Sequence, residues 1–395
     1  MSAITFGTPP SLPVEECAVM QRPGDQQFVP GGDFEYESFF KGLVVKKSTA
    51  LTVNHENGAV YRRDADKVGR GTYGDVYRYT LVEDQTPLAV RNAVPYCFAL
   101  KSMHNSYEAE VLRLLERRGI NIQFAAIKKK GFSKARCFVA MPLYDGTLQS
   151  YARTVNNKGV TASAVINIMI TSLTMVAKLW AVGLSYMDFK ATNVLYVACG
   201  RGADVPLSLI LGDIGSIMEV ASNTKALATF PYPLGFDHEG RNLDADSIRV
   251  AQSMEGMMWA IAITGLNLLR FDPMSASYER IVNGVEDARA RGVQNKRDID
   301  LHIYKECIDA MLGWVDKLGE PAVVRCASGC MHRGKEGPLS HSMRARRANL
   351  KDAISTLVGR GDGSYAIPVG SDPQHAVDDI VKHLQSCEDT IDRVP

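Results

Sequence analysis

Three glycines at fixed spacing constrain this chain more than any other feature. Gly69-Arg70-Gly71-Thr72-Tyr73-Gly74-Asp75-Val76 reads G-x-G-x-x-G-x-V. Glycine at 69, 71 and 74 permits a tight backbone reversal with no Cβ in the way. The residues that follow have a strand period: Val76, Arg78 and Thr80 alternate with Tyr77, Tyr79 and Leu81. A glycine turn that runs into a strand makes a β-hairpin. The other common use of such glycines, a turn that opens a helix in a βαβ unit, needs a helix next and an acid on a strand about 20 residues later. A β-rich segment follows here instead, which favours the hairpin.

Three further stretches follow in order. Phe98-Ala99-Leu100-Lys101 ends the apolar run from Tyr96 in a lysine, Asp188-Phe189-Lys190-Ala191-Thr192-Asn193 reads D-x-K-x-x-N, and Asp213-Ile214-Gly215 reads D-x-G. A lysine closing an apolar strand is costly to bury unless it meets an anion. The apolar stretch Val165 to Val182 reads as a helix with buried faces, and Gly183 as its terminator, so Tyr186-Met187-Asp188 falls on a loop. Val194-Leu195-Tyr196 and Leu207-Ser208-Leu209-Ile210-Leu211 read as strands that bracket a Gly-containing insert, Gly200 to Pro206. Each stretch alone has a bland reading, as a strand-end lysine or an ordinary loop acid. In this order they supply a glycine cradle for phosphates, a cation, a carboxylate able to accept a hydroxyl proton, and two oxygen donors of the kind magnesium prefers.

The ordered set resembles the eukaryotic-type protein kinases, over about Ala59 to Leu357. The resemblance implies an α+β fold of two lobes, a small antiparallel-sheet lobe and a larger, mainly helical one. It also implies ATP and Mg2+ as cofactors and protein serine or threonine hydroxyls as acceptors. Carried over residue by residue, it assigns nucleotide binding to Gly69, Arg70, Gly71, Thr72, Tyr73, Gly74, Val76 and Ala99. Lys101 would contact the α- and β-phosphates and be steadied by Glu108. Glu110 is the fallback, because the lysine and Glu108 stand only seven positions apart. Met141-Pro142-Leu143-Tyr144-Asp145-Gly146-Thr147-Leu148 matches the hinge, with Met141 as gatekeeper and Leu143 as the adenine contact. Asp188 would accept the substrate proton, Lys190 steady the transferring phosphoryl group, and Asn193 and Asp213 hold magnesium. Lysine two residues after the catalytic aspartate resembles the serine/threonine branch. The proline-bearing hinge, the short lysine–glutamate link and the Leu-Gly-Asp approach resemble herpesvirus-encoded serine/threonine kinases.

Several family positions are altered. Tyr186-Met187 replaces His-Arg, which removes the cation that gathers a phosphorylated activation loop. Ile214 replaces phenylalanine, and Thr229-Phe230-Pro231-Tyr232-Pro233-Leu234 lacks the usual glutamate, although Glu239 is close. The arginine partner of that glutamate is expected among Arg344 to Arg347. No altered position is one that touches ATP or magnesium, so an active enzyme is favoured over a pseudokinase scaffold. Gly215 to Pro231 still holds Ser216, Ser222, Thr224, Lys225 and Thr229. A lone Lys225 is a poor substitute for a planar arginine fork. Activity without phosphorylation of that segment is expected, governed by the N-terminal arm or a partner.

At 395 residues and 46% hydrophobic, the chain suits one two-lobed unit with tails. The expected divisions are a partly disordered arm over 1–58, a small lobe over 59–141, a large lobe over 142–358 and a tail over 359–395. The arm holds Pro9, Pro10, Pro13, Pro23, Pro30 and Gly31-Gly32, with Asp33 to Phe40 suited to docking on the catalytic unit. In the tail, Val377 to Leu384 is a short amphipathic segment suited to packing back or binding a regulatory partner. Forty-five basic residues against 44 acidic point to neither nucleic acid nor a membrane surface. Lys128-Lys129-Lys130 reads as a solvated hairpin before Gly131, and Arg344, Arg346 and Arg347 as a solvated helix face rather than a nuclear-import cluster. Eight scattered cysteines and no secretory signal place the chain in the cytosol or nucleus, not outside the cell. Cys326, Cys330 and His332 lack a fourth zinc ligand nearby, and Arg360-Gly361-Asp362 is a chance tripeptide. Val250 to Leu269 carries Gln252, Glu255 and Asn267, so it reads as a buried core helix rather than a membrane span. Asp246 stands near its start, as a helix cap or an anchor of the catalytic loop.

Overall fold

The computed structural model describes residues 4–5, 36–47, 51–71, 74–84, 94–133, 136–154, 160–198, 207–220, 252–269, 308–309, 312–313, 315, 341–358 and 373–392. Strands run over Ile4–Thr5 (β1), Leu43–Lys46 (β2), Thr52–His55 (β3), Ala59–Gly71 (β4), Gly74–Asp84 (β5), Cys97–Met103 (β6), Ile120–Asn121 (β7), Ala125–Ala126 (β8), Lys128–Lys130 (β9), Cys137–Met141 (β10), Gly146–Thr147 (β11), Leu184–Tyr186 (β12), Val194–Ala198 (β13), Leu207–Leu211 (β14) and Ile217–Glu219 (β15). Helices run over Tyr36–Lys41 (α1), Tyr107–Arg117 (α2), Leu148–Thr154 (α3), Ala162–Ala181 (α4), Met254–Leu268 (α5), His341–Val358 (α6) and Pro373–Asp392 (α7). The chain divides into two compact units, Met1–Tyr151 with Thr192–Met218, and Ala152–Ala191 with Glu219–Pro395. The first is rich in sheet and the second helical, which is the expected α+β division. The units are not the contiguous stretches 59–141 and 142–358, because the β13–β14 hairpin belongs with the sheet.

Eight strands of the first unit form one sheet in the order β8-β10-β6-β5-β4-β3-β2-β9. Its pairs are antiparallel except β2 with β9, where Val44 lies beside Lys128 in parallel register. The end strands β8 and β9 are consecutive pieces of one run, and Ile127 between them donates its N–H to Phe138 O at 3.0 Å. The two ends of the sheet therefore meet, and it closes into a barrel without a long free edge. Period-2 alternation turns Leu43, Val45, Val53, Tyr61, Tyr79, Phe98, Leu100, Phe138 and Ala140 inward, where they form one cluster with Tyr36 and Phe40 of α1. Phe98 is at its centre, edge-on to Tyr61 at 4.9 Å between centroids and stacked with Tyr79 at 5.7 Å. The buried Tyr61 hydroxyl donates to Pro95 O at 2.8 Å, so its polar end is satisfied.

The closure corrects one expectation. Residues 36–47 and 51–58 are not part of an arm, because α1, β2 and β3 complete the barrel and Phe40, Leu43, Val45 and Val53 are fully buried. Burying each such side chain contributes roughly 1.5–3 kcal/mol, enough to order a segment whose apolar clusters are brief. Lys128–Lys130 is the largely exposed strand before the turn at Gly131, as expected, with the Lys128 ammonium 3.5 Å from Glu56 at the surface, and it also pairs with β2 to close the barrel.

The second unit is built on two apolar helices. Thr161 caps α4 by accepting from the Ala164 N–H at 3.2 Å, and Gly183 follows the helix with φ +77°. Ser253 caps α5 in the same way, accepting from the Gly256 N–H at 3.1 Å. Asp246 lies outside the described residues. Nearly every α5 residue is buried, so this helix has no polar face. A Cβ on its Gly265 would come within 2.2 Å of Met169 Cε, which lets α5 approach α4 closely. By length and composition α4 is long and apolar enough to cross a membrane, but 56% of its apolar window is buried. Much of that cover is α7. The short amphipathic segment expected at Val377 to Leu384 is part of a 20-residue helix that packs back. Val377, Ile380, Leu384 and Cys387 are buried, and Asn167 of α4 donates to Glu388 Oε1 at 2.8 Å.

Candidate active site

Lys101 stands in the middle of β6, opposite Val76 of β5 and Val139 of β10; two residues earlier, Ala99 is opposite Met141. Opposed residues share a face and so do alternate ones, which puts Val76, Ala99, Lys101, Val139 and Met141 together on the outer face of the barrel wall. Helix α2 packs on β10 and β8, and its Glu108 is only 2% exposed. The Lys101 ammonium donates to Glu108 Oε1 and lies 3.5 Å from Asp213 Oδ1. Glu110 instead accepts from the Ser106 hydroxyl at 2.7 Å on the exposed side of the helix. Burial opposes the Lys101 charge, but the Glu108 and Asp213 carboxylates outweigh it and hold the ammonium above its ordinary value. Burial also pushes the Glu108 carboxyl up, against the pull of Lys101.

The glycines of the β4–β5 hairpin differ in what they do. Gly69 faces Val76, Arg70 faces Asp75 and Gly71 faces Gly74 across the ladder, while Thr72 and Tyr73 lie outside the described residues. The ladder slips at Val60/Tyr61, Arg63/Lys67 and Lys67/Gly69, and such irregularities bend a strand. A Cβ on Gly74 would stand 2.2 Å from Ser102 O, so the sheet's own packing demands glycine there. At Gly69 the nearest atom to an added Cβ is Val76 Cβ, at 3.6 Å, an ordinary contact. Packing does not explain that glycine.

Asn193 and Asp213 flank the two strands of one hairpin. Val194 pairs with Leu211, and the Gly212 N–H donates to Asn193 O at 2.7 Å, which puts Asn193 opposite the residue before Asp213. Asp213 precedes a short 3-10 turn, Ile214–Ser216, anchored by the fully buried Ile214. Gly215 follows, and an added Cβ there would meet Glu108 Cγ at 3.4 Å, an ordinary contact, so Glu108 lies directly against this glycine. Oxygen donors from an amide and a carboxylate at one hairpin end fit magnesium, a hard cation. Met141 ends β10 and is buried, and Leu143 two residues on is half-buried. Asp145 Oδ2 accepts from the Ala198 N–H at 2.9 Å, tying the hinge stretch to β13.

In the helical unit, Asp188 is 7% exposed and its Oδ2 accepts from the Lys190 ammonium at 2.6 Å. Tyr186 belongs to β12 rather than to the loop. Its N–H points to Met257 Sδ of α5 at 3.4 Å, and its ring meets Phe189 edge-on at 6.1 Å. Met187 is buried too, so Tyr186 and Met187 are both part of the apolar core under the aspartate. Ser222, Thr224, Lys225, Thr229 to Leu234, Glu239 and the Cys326, Cys330, His332 group lie outside the described residues. One feature was not anticipated from sequence, the Lys101–Asp213 contact. The D-x-G motif marks Asp213 but not what it touches.

No protein-family model matches this sequence, and no curated protein matches it either. Among solved structures the chain is similar to vaccinia related kinase 3, at 12% identity and a TM-score of 0.42, over 87% of this chain and 94% of that one. What the site can do therefore rests on its own residues.

Proposed function

We propose that this protein is a serine/threonine protein kinase that transfers the γ-phosphate of Mg-ATP to protein hydroxyls. One observation carries the reading: Lys101 joins Glu108 on the next helix and Asp213 of the D-x-G motif, the last 112 positions away. An ammonium held charged beside two carboxylates is suited to meeting phosphate, and few structural roles call for that trio. Bound Mg-ATP supplies the phosphoryl group and the cation that offsets its charge. Asn193 and Asp213 would hold the metal, and Lys101 would meet the α- and β-phosphates. Gly69, which packing leaves unexplained, would let the hairpin backbone close on them, with Val76, Ala99, Met141 and Leu143 around the adenine. Asp188 would take the proton of the attacking hydroxyl, and Lys190, already on its Oδ2, would balance charge on the transferring group. Lys190 supports the serine/threonine branch, and the seven-residue step from Lys101 to Glu108 supports kinship with virus-encoded members. Cytosolic or nuclear protein substrates fit Cys97, Cys137 and Cys387, which form no disulfide.

The test is transfer from γ-labelled ATP to a degenerate peptide library, with Asp188→Asn as control. The variant should keep nucleotide affinity and lose turnover by orders of magnitude. Equal turnover in both proteins sinks the proposal. A second reading, a nucleotide-binding scaffold, is favoured by the buried Tyr186-Met187 pair. Thermal stabilisation by ATP without any need for magnesium, together with no transfer, would select it.

A further inference from the structure

Helices α6 and α7 bring together three side chains that the site above does not use. His383 and Cys387 are one turn apart on α7, so they share a face. Asp352 reaches them from α6. Its Oδ2 is 3.0 Å from His383 Nε2 and 3.7 Å from Cys387 Sγ, and the sulfur is 3.8 Å from that nitrogen. A tetrahedral zinc ion with bonds of about 2.0–2.3 Å sets such ligand atoms roughly 3.3–3.6 Å apart. The three observed separations bracket that range, so small side-chain rotations would seat an ion.

The chemistry of the set is selective. One thiol, one imidazole and one carboxylate suit a borderline-soft ion, whereas magnesium and calcium take oxygen alone. Cys387 is buried while His383 and Asp352 are exposed, which leaves a solvent side for a fourth ligand such as water. We propose that Asp352, His383 and Cys387 form a zinc-class metal site that fastens the C-terminal helix α7 to α6. The bland alternative is an Asp–His ion pair beside a core thiol. Burial and the Asp352 carboxylate push the Cys387 thiol up to about 11, so loading displaces a proton from the sulfur.

The experiment is a cobalt(II) titration of the full-length, metal-stripped protein, followed by zinc competition against a chromophoric chelator. Expected are a near-ultraviolet thiolate-to-cobalt band and intense tetrahedral visible bands, displaced by one equivalent of zinc. Cobalt held by Asn193 and Asp213 has no thiolate and gives no such band. Both Cys387→Ser and His383→Ala should lose the band and weaken zinc binding by more than about tenfold, the least that losing an outer-shell partner costs. His383 is exposed, so its variant should fold, which circular dichroism checks. Zinc should raise Tm in the wild type and in neither variant. Absence of the band, or its survival in either variant, overturns the site.

Discussion

Lys101 shows how much one side chain depends on its neighbours. It is buried and charged, and two carboxylates hold its ionisation above the ordinary lysine value. The sign follows: its favourable contribution is fully present below the ordinary lysine range and is lost as pH rises through the raised value. Glu108→Gln removes the stronger of the two attractions and leaves burial to pull the value down. A titration followed by side-chain NMR of Lys101 should show its midpoint at lower pH in the variant; an unmoved midpoint would mean that Glu108 does not hold the charge. Lys101→Met leaves Glu108 buried without its cation and should cost about 3–5 kcal/mol of stability as well as phosphoryl transfer. Adding Glu108→Leu should restore much of the stability, read as Tm, and none of the transfer. Recovery of activity in the double variant would separate Lys101 from the chemistry.

The glycine hairpin is where stability and function separate. Gly74→Ala drives a methyl against Ser102 O and should cost about 1–3 kcal/mol through forced backbone shifts. Gly69→Ala meets only Val76 and should stay within about 0.5 kcal/mol of the wild type. Nucleotide affinity, measured by calorimetry, should fall in Gly69→Ala all the same, because the methyl stands where the backbone must approach phosphate. A Gly69→Ala protein that binds ATP normally would remove this glycine from the site. Sequence alone could not tell the two positions apart. Both are glycines of one motif, and only the register with β6 shows which one has a carbonyl behind it.

The barrel is a property of the whole first unit. Its closure joins β2 to β9, so the N-terminal segment is a structural part of the sheet rather than an accessory to it. Phe40→Ala should cost about 3–5 kcal/mol, as removal of a fully buried aromatic does. A chain that starts at Ala59 loses β2 and β3 and exposes the edges of β4 and β9, which should give aggregation or non-cooperative unfolding. Size-exclusion chromatography and a urea melt check this; a monomeric, cooperatively folded product would mean that the barrel does not need its N-terminal strands.

Local pattern was enough for much of this molecule. The hairpin at Gly69 to Gly74, the strand period of β5, and the helix over Val165 to Val182 with Gly183 after it all depend on residues close in sequence, whereas the Lys101–Glu108 pair was implied only by the family resemblance. Alternation and spacing report which face a residue takes, and for neighbours in sequence the face nearly determines the contact. Three arrangements needed the tertiary structure: β2 beside β9, Asp213 beside Lys101, and Asp352 beside His383 and Cys387. A strand's pattern says which side is buried but not which strand lies next to it. That choice depends on loop closure over tens of residues and on the shared core that rewards it. Tyr36 to Val45 looked too brief to order itself, and alone it is. It becomes structure because a curled sheet elsewhere in the chain offers Phe40, Leu43 and Val45 an interior to fill.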